Sequence, residues 1–125
     1  MGIKAQAELE RWLMFAVTEL EQPLWRLARH TSLYPAGKRL AADVAIASQE
    51  FKDMASVLEQ HMHGREFVVG EAVSVGDFVL AYTLDCGNAV DLLGYCPRLK
   101  AYMEKMYSRP RAAPHIRQAL ASIGS

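Results

Sequence analysis

The chain has 125 residues, 51% of them hydrophobic, and its fourteen Lys and Arg balance fourteen Asp and Glu. That length suits one domain with one core, and without a run of basic residues the chain offers no surface to track phosphates, which excludes nucleic acid as a partner. No apolar stretch approaches the roughly 18 residues needed to cross a bilayer, and the N-terminus, with Lys4, Glu8, Glu10 and Arg11, lacks a signal-peptide core, so a cytoplasmic protein without membrane contact is expected.

Leu9, Leu13, Ala16, Leu20, Leu24 and Leu27 recur at spacings of three and four, which predicts a helix from about Lys4 to His30 with one buried stripe. Pro23 interrupts it. Its ring removes one N–H and presses on the carbonyl of Glu19, so a kink is expected between those two residues. Thr31 to Gly37, with Pro35, reads as a loop. A second stripe of Leu40, Val44, Ala47, Phe51, Met54, Leu58 and Met62 predicts a helix from about Lys38 to His63, closed by a left-handed Gly64. The two long helices are expected to pair as an antiparallel hairpin.

Arg65 to Val73 crosses as a loop to Ser74-Val75-Gly76-Asp77, a capping box in which Ser74 and Asp77 satisfy free N–H groups at the helix start. Val73 is expected to pack on Phe78 as a hydrophobic staple. The helix so opened is apolar nearly all round, which predicts a central helix enclosed by others. Tyr82 within it reads either as a hydroxyl sent toward a cleft or, more commonly, as a buried tyrosine with one hydrogen bond. A short element is expected around Ala89 to Leu93, then a helix from Pro97 through Leu99, Tyr102, Met103, Met106 and Tyr107 to Pro110, and a last one over Ala113 to Ala121. Nothing alternates with period two, so the fold class is all-α. Cys86 and Cys96 stand nine residues apart between them, a spacing of neither a metal pair nor a redox pair, and Cys86 reads as a small packed hydrophobe. His61 and His63 point in different directions on a helix and find no third ligand, so no metal is expected.

The loop Phe67-Val68-Val69-Gly70-Glu71, the box from Ser74 to Asp77, and the later Cys96-Pro97-Arg98-Leu99-Lys100-Ala101-Tyr102 with Arg109-Pro110 together resemble the C-terminal helical domain of glutathione transferases. Trp12 and Gln22-Pro23-Leu24-Trp25 resemble that domain's first helix. The likeness covers essentially the whole chain, residues 1–125, as one domain. It implies a helical bundle with a long kinked hairpin and a capped centre. It also implies glutathione as the co-substrate of intact family members, while the thioredoxin-like half that activates the thiol has no counterpart here. No catalytic residue and no cofactor of the chain's own are therefore expected. The chain is either a fragment or a natural stand-alone helical half.

In the family this domain lines the side of the cleft that takes the hydrophobic substrate. The resemblance places that wall on the first helix, where Trp12 and Phe15 are read as pointing away from the internal core, flanked by Glu19. Packing of Trp12 on the second helix is the competing reading. The expected partners are a thioredoxin-like half or a second subunit, a homodimer, and a small hydrophobic electrophile. The alternative is a stand-alone interaction module of the same fold.

Overall fold

A computed structural model describes residues 1–124, and these contain helices and connections but no strand. The first helical rod is built from α1 (Ile3–Phe15), a π-helical stretch (Ala16–Leu20) and α2 (Glu21–Ala28), ending in a second π-helical stretch (Arg29–Leu33). Pro23 lacks the N–H that an α-helix would give to Glu19, and the wider π-helical turn lies immediately upstream, where the chain absorbs the ring. The disruption thus falls close to where the proline predicts it.

A short 3-10 turn (Ala36–Lys38) leads into α3 (Ala41–His61). The hairpin is clamped by charge at its closed end. Arg26 of α2 reaches both Asp43 and Glu50 of α3, and its forked donors hold the Asp43 carboxylate below its ordinary range. His30 accepts the Leu40 N–H on Nδ1 at 3.1 Å and places Nε2 3.2 Å from Asp43. Gly64 follows α3 with a φ of +72°, the left-handed residue that a helix stop favours.

Helix α4 (Val75–Ala89) occupies the centre, with Leu80, Ala81 and Leu84 buried, and packs mainly against α1 and α5 (Pro97–Tyr107). Its start carries the capping box formed by Ser74 and Asp77. One Asp77 oxygen accepts the Ser74 N–H at 2.9 Å. The other accepts the Val68 N–H at 2.9 Å and the Tyr102 hydroxyl at 2.6 Å, all with Asp77 wholly out of water. One carboxylate therefore ties the loop before α4, the start of α4 and the middle of α5 together. Ser74 serves the cap alone, so Ser74→Ala is expected to cost about 1 kcal/mol, read as a lowered melting temperature.

Glu59 of α3 does the same for α5 from outside, accepting the Arg98 N–H at 2.7 Å just after Pro97. Two glycines let α4 approach its neighbours. A Cβ at Gly76 would lie 2.8 Å from Leu9 of α1, and one at Gly87 would lie 2.4 Å from the ring of Phe51 in α3. The last helix, α6 (Ile116–Ile123), starts three residues later than its apolar spacing suggests. Residues 89–93 form no element of their own beyond the end of α4: the chain turns at Asp91, which has a φ of +61°, and buries Leu92 and Leu93. Among the described residues no helix is long and apolar enough to cross a membrane.

Candidate functional site

Of the two readings of Trp12, the structure takes the one in which its ring packs on the second helix, α3. Trp12 is 2% exposed. It lies between the guanidinium of Arg11, 5.0 Å from its ring, and the imidazole of His61 on α3, 4.2 Å away, with Phe15 edge-on at 5.1 Å. Position 12 precedes Ala16 and Leu20 by four and eight residues, so all three share one buried stripe. Phe15 packs on the margin of the same core, and Glu19 is exposed in the π-helical stretch. His61 lies tilted against Trp12 and bonds the Val68 carbonyl through Nε2 at 2.8 Å. Among the described residues no group of three or more His, Cys, Asp or Glu side chains could hold a metal ion.

The open aromatic surface lies on α4 instead. Phe78 is 52% exposed and Tyr82, one turn later, 57%, so the central helix is enclosed on every side but one. Tyr82 therefore faces a cleft and is not buried. The staple is lopsided as well: Val73 packs against the core, whereas Phe78 faces outward beneath the guanidinium of Arg109, 5.8 Å from its ring.

Tyr82 stands between two clefts. On one side a hollow of about 550 Å³ is lined by Phe78, Tyr82, Met106, Tyr107, Arg109 and Pro110. On the other, a cleft of about 350 Å³ runs between α2, α4 and α6, lined chiefly by Leu24, Trp25, Leu27, Tyr82, Ile116 and Leu120. Trp25 is half exposed at its rim and fixed by an indole N–H donated to Glu21 at 3.0 Å. Cys86 also lines this cleft, but burial pushes its thiol up, against the opposing pull of the Tyr82 hydroxyl, so it stays protonated and is no activated nucleophile. Mostly apolar walls with a few polar groups suit a small apolar molecule.

Beside this cleft lies a second polar cluster. Asp85 of α4, 3% exposed, accepts the Ile116 N–H at 2.7 Å and contacts His115 Nδ1 at 2.7 Å, thereby capping α6. His115 also stacks on Tyr107, with ring centroids 4.2 Å apart. The signal for the Phe78 and Tyr82 surface was present as two aromatics four apart on a helix, but which side of α4 is left open depends on α2, α5 and α6 together.

The family described as "Glutathione S-transferase, C-terminal domain" matches residues 17–110. No curated protein matches the chain. Among solved structures, a glutathione S-transferase from Xylella fastidiosa is 24% identical with a TM-score of 0.74, the match covering 98% of this chain and 58% of that one. The glutathione transferase URE2P5 from Phanerochaete chrysosporium is 15% identical with a TM-score of 0.81, over 100% of this chain and 60% of that one. A glutathione S-transferase from Methylobacterium radiotolerans, solved in complex with glutathione sulfonate, is 14% identical with a TM-score of 0.59, over 87% and 51%. The chain thus spans less than two thirds of the length of the solved structures it is similar to.

Proposed function

The chain belongs to the glutathione S-transferase C-terminal domain family, and from that premise we propose that it forms the hydrophobic-substrate side of a cleft for glutathione conjugation. The thiol-activating half is supplied by another segment or another chain. The observation that carries this reading is the pair of clefts that share Tyr82, with Phe78 and Trp25 half exposed along them.

In this arrangement the other half lowers the pKa of the glutathione thiol, and the thiolate attacks an electrophilic carbon, whose leaving group departs with the electron pair. This chain's own residues bind and orient the apolar substrate. Leu24, Trp25 and Tyr82 hold its body, while Ile116 and Leu120 keep water from it. Trp12 and Phe15 support the wall from behind, by fixing α1 against α3, and Glu19 remains a flanking charge. The Phe78 face beneath Arg109 suits the docking of a thioredoxin-like half. Met14, Val17, Ile46 and Val57 leave the hairpin with apolar side chains that a second copy would cover, which supports a homodimer. Two free cysteines fit a reducing cytoplasm.

Equilibrium dialysis with 1-chloro-2,4-dinitrobenzene tests the assignment. The chain is expected to bind this aromatic electrophile, and Tyr82→Asp to weaken binding about tenfold or more, or about 1.4 kcal/mol, without unfolding the exposed site. Equal binding by wild type and variant would overturn the cleft assignment. Conjugation of glutathione by this chain alone, faster than in buffer, would overturn the division of labour.

A further inference from the structure

The second polar cluster has the geometry of a latch. His115 stands immediately before the first turn of α6, and its two ring nitrogens face two carboxylates from two different helices. Nδ1 lies 2.7 Å from Asp85 of α4, and Nε2 lies 3.3 Å from Glu104 of α5. Only the imidazolium carries an N–H on both nitrogens. A neutral ring can serve one carboxylate and turns a lone pair toward the other. Tyr107 of α5 stacks on the ring and remains protonated, its hydroxyl pushed up by burial and by Asp85. Arg117, the nearest cation on α6 itself, is engaged elsewhere, donating to the Asn88 and Ala89 carbonyls and pairing with Asp91. The groups facing His115 are therefore two anions and a neutral phenol.

We propose that His115 is a proton-operated latch, which seats α6 on α4 and α5 while the imidazole is charged and loosens that helix as the ring loses its proton. Because Ile116 and Leu120 of α6 wall the smaller cleft, the latch sets how well that cleft is closed, a consequence that rests on the function proposed above. The sign follows from the surroundings. Partial burial opposes the charge on His115, but its bonds and attraction to Asp85 and Glu104 outweigh burial and raise its pKa above the ordinary 6.5. The seated helix thus binds the proton more tightly than the released one. Its extra hold is complete below the ordinary value and is lost as pH rises through the raised one.

Amide hydrogen exchange over residues 117–123, corrected for the intrinsic rate and compared with α4, reads the latch directly. Protection of α6 relative to α4 is expected to fall in the wild type as pH rises above the ordinary imidazole value of about 6.5. His115→Gln should abolish this dependence. Glu104→Gln, at an exposed position that perturbs no core contact, should reduce it. Relative protection that stays level with pH in the wild type, or a slope unchanged in Glu104→Gln, would overturn the latch. The uncharged fluorescent probe N-phenyl-1-naphthylamine reads the cleft separately, and its affinity should fall over the same range in the wild type but not in His115→Gln. A titrating latch with no probe binding would support the latch and overturn the cleft reading.

Discussion

Asp77→Ala is expected to remove about 3–5 kcal/mol of folding stability, a large share of what a domain this size holds. Urea denaturation followed by circular dichroism measures it. The carboxylate accepts from the Ser74 N–H, the Val68 N–H and the Tyr102 hydroxyl, so its loss orphans three donors at once, two of them backbone groups that cannot turn toward water. Asp77→Asn keeps the shape but replaces one accepting oxygen with an NH2 that confronts donors, and it should also be severely destabilised. Tyr102→Phe removes only one of the three donors and should cost about 1 kcal/mol. If Asp77→Ala proved no worse than Ser74→Ala, the carboxylate would be a helix cap and nothing more.

Gly87→Ala is the second large effect, expected at about 1–3 kcal/mol of destabilisation despite the better helix propensity of alanine. The added Cβ would sit 2.4 Å from Cζ of Phe51 and 2.9 Å from Cε1, inside a core where the ring has no exposed surface into which to retreat. Phe51→Leu shortens that side chain. The double variant Gly87→Ala with Phe51→Leu should therefore be less destabilised than the sum of the two single changes, by about 0.5 kcal/mol or more. Strict additivity in a thermal-melt cycle would show that the close approach of α4 to α3 does not limit the packing.

What the sequence made legible is what depends on near neighbours along the chain. Ser74 and Asp77 are three apart, so their cap can be read directly, as can the disturbance at Pro23 and the stop at Gly64. The stripe of α3 through Ala47, Phe51 and Leu58 is likewise a matter of helical spacing. The wider role of Asp77 was hidden because Tyr102 lies 25 residues away, and the Asp85 to His115 contact spans 30. No local pattern announces either. Trp12 was open to two readings for a different reason: it lies at the edge of one stripe, and its ring contact with His61 of α3 decides for packing on the second helix. The cleft depends on the side of α4 that its neighbours leave open, so Phe78 and Tyr82 become legible as surface only once the helices are assembled.

The two tryptophans occupy opposite environments, and this gives the molecule a pair of internal lamps. Trp12, sealed between Arg11 and His61, should emit toward the blue, whereas Trp25, half in water at the cleft rim, should emit toward the red. A molecule entering the cleft dims or shifts the red component alone, but collapse of the bundle moves both, so occupancy and melting are separable within a single emission spectrum.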